Sequence, residues 1–539
     1  MHYALTIPEL LQKIFWELGL QAASTPHPDL DSWSQEGIQP HYGKSVVGEH
    51  SGRRALARAA RCCKAFCDPA LDELWSVQLS LVPLLSILPG FMTEETGRYA
   101  SYTHRGNIST PDWLRLQTYA ERIRILEIWE PDMIRWEFLD GRQLVPRLHT
   151  LAYPLHDSMR MLVSPALRRI HIQRFYSADG VHEFLEDFLL KKAPSLESLS
   201  SAFGPVFSKL SLGVLAKFEH LQHLTVAEDA VISIRQLNEP GAPSTVFDGL
   251  EEILSLPLDK LHLHIPFARR SLTFSALGTR SLRVLMLTSR PRIIDAVLEL
   301  LAHSPLEVLR LGYIHPAGPG KGTAAGIWDK RFARAAQWSK SMTVLEMKEY
   351  RSSELRDDSD LDESVHGDCE PLLQMANLRS LALTAGYTTF DFSDAYFLKM
   401  AQAWPQMEAL SIKSWRIAQR PSATFGALNA FAAYCPALHS LDLSLCLSRI
   451  RTSPSAPTPH RLENLYIGYP IYGDPQRVAQ CLYAWFPFVR VKGSDEELPR
   501  NNAFTGMPVV HENLGRKTSW VRVSDALELL QSVQLCNRS

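Results

Sequence analysis

The stretch Ser281–Tyr313, SLRVLMLTSRPRIIDAVLELLAHSPLEVLRLGY, decides the fold. It carries one short phrase twice: apolar, two spacers, apolar, one spacer, apolar. The copies are Leu282/Leu285/Leu287 and Leu306/Leu309/Leu311. The last two apolar residues of each copy are two apart, so they point to one face of a short strand. The first packs in the turn before it. Between the copies, Pro291–Ala302 has helical spacing. Strand, helix and a parallel strand one step on is the unit of an α/β solenoid.

The phrase recurs on both sides. Before it stand Ile123/Leu126/Ile128, Leu148/Leu151/Tyr153, Leu167/Ile170/Ile172, a weaker Leu196/Leu199, Leu221/Leu224/Val226 and Leu258/Leu261/Leu263. After it stand Met342/Leu345/Met347, Leu378/Leu381/Leu383, Met407/Leu410/Ile412, Leu438/Leu441/Leu443 and Leu462/Leu465/Ile467. Central residues lie 19 to 37 apart. Gly180–Lys192, Ser393–Ala403 and Thr424–Tyr434 read as further helices. No single unit can bury its own apolar face, whereas a stack makes one continuous core. The spacing predicts a degenerate leucine-rich-repeat solenoid over 121–470, a curved parallel sheet with outer helices that lacks the regular Asn of the standard pattern. His315–Gly326, Arg351–Glu370 (acidic) and Thr452–His460 read as loops within it.

The flanks read differently. Residues 81–120 are expected as a helical linker and 471–539 as a C-terminal cap, where Ser524 and Asp525 resemble the N-cap and first turn of a helix over Ser524–Leu535. The uncharged run Trp75–Thr93 contains Pro83 and Pro89, so a buried helix–turn–helix is expected there rather than a membrane span.

Composition agrees with a folded chain of proteinaceous business. Of 539 residues, 77 are Leu, and the hydrophobic share of 45% excludes a mainly disordered chain. A formal charge of -2 argues against a chain-wide grip on nucleic acid. The eight cysteines are too few for a disulfide framework in a chain of this length. The residues Met1–Glu9 show no basic run followed by an apolar one, so an intracellular protein, cytoplasmic or nuclear and off the membrane, is expected.

The N-terminal region is a different object. Thr6 suits an N-cap, and Leu10, Leu11, Ile14, Phe15 and Leu18 recur at helical spacing. A polar Pro/Gly/His-rich insertion over about 21–52 follows, then RRALARAARCCKAFCDPALDELW. This predicts a small orthogonal helical module over 1–80. Ile7-Pro8-Glu9-Leu10-Leu11, Ile14-Phe15, Leu18, Cys62-Cys63-Lys64-Ala65-Phe66 and Leu74-Trp75 resemble the F-box. The continuation ALDELWSVQLSLVPLLSILP is similar to F-box proteins of mushroom-type fungi with degenerate leucine-rich repeats. Ile7 for the usual Leu and the insertion are the departures. The fold class expected is therefore α+β overall, a helical F-box module followed by an α/β repeat solenoid.

The resemblance implies a substrate-recognition subunit of an SCF-type cullin–RING ubiquitin ligase, a receptor without catalysis of its own. The box would dock a Skp-type adaptor, and through it a cullin, while the repeats hold a protein substrate. By matching positions, Pro8, Leu11, Ile14, Phe15 and Leu18 would carry the adaptor contact, supported by Leu56, Phe66 and Trp75. The alternative is a repeat scaffold outside any ligase. In such repeats the residues between and after the paired apolar positions face the open side of the sheet. Trp129, His171, His262, His264, Arg310, Lys348, Lys413, Trp415 and Tyr466 are the candidates for a substrate surface.

Catalytic and cofactor motifs fail on their spacing. In His315–Thr323, Gly320-Lys321 is followed by Gly322 where a phosphate loop needs Ser or Thr. In the acidic run from Asp358, Glu363 and Cys369 stand where a calcium loop needs Gly and Glu. Cys62, Cys63 and Cys67 lack a matching pair at zinc spacing. No metal, cofactor or catalytic residue is expected.

Overall fold

A computed structural model describes residues 8–22, 46–96, 99–128, 133–134, 139, 141–155, 157–175, 183–202, 212–227, 250–265, 281–314, 324–350, 364–365, 369–386, 389–414, 421–446, 460–467, 474–493 and 514–538. The chain divides into two compact units, Met1–Ile232 with Thr245–Leu256, and Ser233–Ser244 with Pro257–Ser539. Both are mixed α/β, and both are built from parallel strands compatible with an α/β solenoid.

The first unit opens with three mutually packed helices, α1 (Pro8–Ala22), α2 (Val46–Ala59) and α3 (Lys64–Ser76). Six parallel strands follow in sequence order: β1 (Val77–Gln78), β2 (Ile125–Glu127), β3 (Thr150–Leu155), β4 (Arg169–Phe175), β5 (Ser198–Ala202) and β6 (His223–Ala227). The central phrase residues stand in register, Leu126 beside Leu151, then Ile170, Leu199 and Leu224. All five are buried, as alternation along a strand requires when one face is covered.

β1 was not legible in the sequence because its inward position is polar. Gln78 pairs with Leu126 and is buried. Its amide is satisfied at both ends: Nε2 donates to the Leu74 carbonyl (3.1 Å), and Oε1 accepts from Arg53 of α2 (3.3 Å). The Arg53 guanidinium also reaches the carbonyls of Leu74 and Val77. The stretch expected to be a helical linker holds α4 (Thr110–Ala120) but also an antiparallel hairpin, Phe91–Thr96 with Tyr99–His104. The run from Trp75 is the end of α3, then β1 and a single helical turn at Val82–Leu85, not a helix–turn–helix. Among the described residues no helix is long and apolar enough to cross a membrane.

The second unit has nine parallel strands: β7 (Lys260–Ile265), β8 (Val284–Ser289), β9 (Val308–Ile314), β10 (Val344–Tyr350), β11 (Ser380–Ala385), β12 (Ala409–Ser414), β13 (Ser440–Leu443), β14 (Asn464–Ile467) and β15 (Arg490–Gly493). Leu261, Leu285, Leu309, Leu345, Leu381, Leu410, Leu441 and Leu465 stand in one unbroken row. Val491 of β15 continues that row inside the stretch expected to be a cap. Its repeat went unread because Val489 and Val491 are two apart, where every other copy has its first and second apolar positions three apart.

Helices α5 (Pro291–Leu300), α6 (Ala324–Ala335), α7 (Asp394–Ala403), α8 (Phe425–Tyr434) and α9 (Pro475–Trp485) lie between strands. The last helix, α10 (Leu514–Arg538), runs straight through Ser524 and Asp525, which are therefore mid-helix residues and no cap. Its buried Trp520, Val523 and Leu527 share the face packed against α9 and β15.

Neighbouring repeats are also joined by a carboxylate. Asp394, at the start of α7, accepts the backbone N–H groups of Thr424 (2.7 Å) and Ala427 (3.1 Å) and the Thr424 hydroxyl (2.5 Å) at the N-terminus of α8. A Cβ at Gly426 would lie 2.6 Å from the same carboxylate, so only glycine admits it. Asp394→Ala removes partners from two N–H groups of a helix terminus that has no other charge nearby in its first turn. It is expected to lower the urea midpoint by an amount corresponding to about 2 kcal/mol, and Gly426→Ala to act in the same direction. An unchanged midpoint in both variants would refute the joint.

Candidate interaction surfaces

Two surfaces follow from the fold: the outside of the three-helix module, and the face of each sheet opposite the buried leucine row. No protein-family model matches the chain, and no curated protein matches it.

In the module, Leu11 (3% exposed) and Phe15 (4%) point inward and meet Leu56 and Ala70, with Phe66 and Leu74 around them. The Phe15 and Phe66 rings meet edge to face, with centroids 5.7 Å apart. Leu11 and Phe15, expected in the adaptor contact, are instead buried in the module's own core, and Leu56 and Phe66, expected to support that contact, pack beside them. Among the described side chains of α1, Leu10 (42%) and Ile14 (46%) are the large apolar groups left to solvent, one helical turn apart. Of the expected contact residues, Ile14 is therefore exposed, and Pro8 and Leu18 lie on the same helix. Leu10 belongs to the same helical stripe in the sequence, but periodicity alone does not say which edge of a broad stripe turns outward.

Trp75 is half-buried and packs on Tyr119 of α4, centroids 5.1 Å apart. Arg122 completes this brace. Its guanidinium donates to the Asp68 carboxylate (2.8 Å) and carbonyl (3.2 Å) and to the Asp72 carboxylate, both on α3. With Arg53 on β1, these contacts tie the module directly to the first strands of the array.

On the sheet faces the expected substrate residues separate. Trp129 and Trp415 lie outside the described residues. His171 and His264 are buried, so neither is a surface group. His171 Nδ1 lies 3.0 Å from the Ser200 hydroxyl on the next strand. In the row of His264, Gly312 makes room for a ring from β10: a Cβ there would come within 2.8 Å of the Tyr350 side chain and 2.5 Å of the Thr288 hydroxyl. His262 is half-buried. Arg310, Lys348 and Tyr466 are half-exposed, and Lys413 is exposed. Arg310 pairs with Glu346 (3.4 Å) and Lys413 with Asp442 (2.8 Å), each across one strand spacing. Lys348 Nζ stands 5.0 Å from the Tyr350 ring centroid. The open part of this face is thus a set of internally neutralised charges beside an aromatic group.

The sequence carried no signal for the most buried ion pair. Glu349 accepts from Arg331 (2.7 Å) through one carboxylate oxygen and from the Gly386 N–H (3.0 Å) through the other. The guanidinium lies over the rings of Tyr313 (3.7 Å) and Trp328 (4.7 Å). The carboxylate and the guanidinium are both engaged, so the cluster braces β9, α6, β10 and the turn after β11. His460 does similar work: the Leu462 N–H donates to Nδ1 (3.1 Å), which leaves the proton on Nε2 for the Cys435 carbonyl (2.7 Å).

Burial pushes His171 down to about 4. Burial, and then His264 and Arg310, push His262 down to about 4. Burial also lowers His460, against its bond to the Cys435 carbonyl. His171 and His262 are neutral in the fold, whereas an unfolded chain takes up protons near 6.5, so their contribution is complete above pH 6.5 and declines as pH falls toward 4. At about 1.4 kcal/mol per pH unit, the ceiling for His171 or His262 is about 3 kcal/mol. The urea midpoint is expected to drop between pH 7 and 4.5, with a shallower slope in His171→Asn and His262→Asn. Identical slopes in wild type and both variants would contradict this.

Proposed function

We propose that the chain is the substrate-recognition subunit of an SCF-type cullin–RING ubiquitin ligase, with the N-terminal module as an F-box and the strands as leucine-rich repeats. The observation that carries the reading is the three-helix module with the F-box-like residues, its exposed Leu10 and Ile14, and its direct brace onto the first strands. An exposed apolar pair one turn apart on a helix suits docking into a groove of a Skp-type adaptor. The internally paired polar and aromatic face of the repeats suits a protein substrate.

The mechanism is proximity. Two binding surfaces on one chain raise the effective concentration of substrate beside the ligase's catalytic subunits. The connection matters because effective concentration falls when a linker is free to wander. Here β1 leaves the module within one residue of α3 and pairs at once with β2. No group of the chain need take part in bond making.

Leu10→Asp with Ile14→Asp places charge on exposed positions and leaves the module's core intact. It is expected to weaken capture of a Skp-type adaptor by at least about tenfold, since charges at the centre of an apolar contact are left unpaired. Far-ultraviolet circular dichroism should be unchanged. Failure of the intact chain to retain the adaptor would overturn the receptor reading.

A further inference from the structure

In most repeats, the residue after the first apolar position does the same backbone job. Its carbonyl accepts two successive N–H groups from the next repeat: His149 and Thr150 onto Arg124 (2.8 and 3.0 Å), Arg168 and Arg169 onto His149 (2.9 and 2.9 Å), Glu197 and Ser198 onto Arg168 (2.8 and 3.0 Å). The side chains of these rungs are therefore neighbours at one edge of the sheet. Where they carry charge, the signs usually alternate. Arg168 meets Glu197 (3.8 Å), Arg283 meets Glu307 (2.5 Å), and Arg379 meets Glu408 (3.1 Å).

The first rungs break that pattern. Arg124, His149 and Arg168 succeed one another without an acid between them. Arg147 joins them, since Arg124 donates to its carbonyl (3.4 Å), and Arg169 follows Arg168 directly. Arg147, His149, Arg168 and Arg169 are exposed. Among the described residues, Arg124, Arg147 and Arg169 have no acidic group within 4.0 Å, and Arg168 has only Glu197. The field is felt locally: burial first, then Arg124 and Arg168, hold His149 below its ordinary range. Arg124 and Arg168 donate to the carbonyls of Arg147 (3.4 Å) and Ser195 (3.0 Å), but like charges on adjacent strands weaken the sheet.

We propose that the edge formed by Arg124, Arg147, His149, Arg168 and Arg169 docks an acidic peptide segment of a protein partner. Charge complementarity selects the occupant. Adjacent strands are about 4.8 Å apart, so Arg124 and Arg168 lie roughly 10 Å apart, the reach of about three residues of extended chain. The run is bounded: Glu197 ends it on one side, and Asp68 and Asp72 neutralise Arg122 on the other. A nucleic acid needs a longer cationic track than this, whereas a short row of carboxylates is matched by it. The site stands apart from the ligase reading, because it needs neither an adaptor nor Leu10 and Ile14.

The test is fluorescence anisotropy of a labelled Glu-rich peptide of about twelve residues with the full-length chain at low salt. Saturable binding is expected, weakening by about tenfold or more in Arg124→Glu/Arg168→Glu and to a lesser degree in Arg147→Gln/Arg169→Gln. Arg283→Glu, a charge change on a rung of the second unit, should leave affinity unchanged. Circular dichroism checks that each variant is folded, and the two edge variants together guard against a folding defect in one. Absence of saturable binding, or equal weakening by Arg283→Glu, would overturn the proposal. So would an oligonucleotide of equal charge that binds as tightly and loses affinity in the same edge variants. Adaptor capture is measured separately through Leu10 and Ile14, so failure of either reading leaves the other standing.

Discussion

Everything in the strands of both units depends on parallel pairing without slippage. Side chains alternate faces along a strand, so a shift of one residue would turn a whole leucine row to solvent. The second-position residues of successive repeats lie directly beside one another, from Leu126 to Leu224 in one unit and from Leu261 to Val491 in the other. The doubled acceptor at the start of most strands, such as the Arg283 carbonyl with the N–H groups of Glu307 and Val308, holds that register before the strand begins. Apolar burial sets the stack; backbone hydrogen bonding sets its phase.

Three polar residues that enter this apolar stack have their bonding complete. Gln78 occupies an inward strand position with both ends of its amide engaged. Glu349 uses both carboxylate oxygens, and His460 both ring nitrogens. Removing one partner would leave a buried group unsatisfied, which costs more than the bond itself contributes. The irregular repeat lengths are tolerated because additions fall between strands, while most strands keep their apolar pair.

Much of this was legible in the residues. The apolar phrase placed thirteen strands because the spacing of three and then two reflects turn and pleat directly. β1 and β15 escaped it, one because Gln78 stands where an apolar residue is expected, the other because its turn is one residue short. The helix through Ser524 escaped because an N-cap signal is local and packing of Trp520, Val523 and Leu527 overrides it. Site residues were harder to read. A helix as broadly apolar as α1 does not announce that Leu11 and Phe15 turn inward and Leu10 and Ile14 outward. His171 and His264 alternate onto the open face as their positions require, yet they are buried there.

The sequence by itself determined the repeating strand, its inward residues and the helical character of the N-terminal region, because these follow from spacing along one chain. Tertiary structure decided which charges meet. Arg122 finds Asp68 and Asp72 some fifty positions away, Arg331 finds Glu349, and Arg124 lies among other basic residues rather than beside an acid. Such encounters depend on which repeats stack and on which edge a side chain leaves. Electrostatic partners act through space, and only the folded register brings distant positions within a few ångströms.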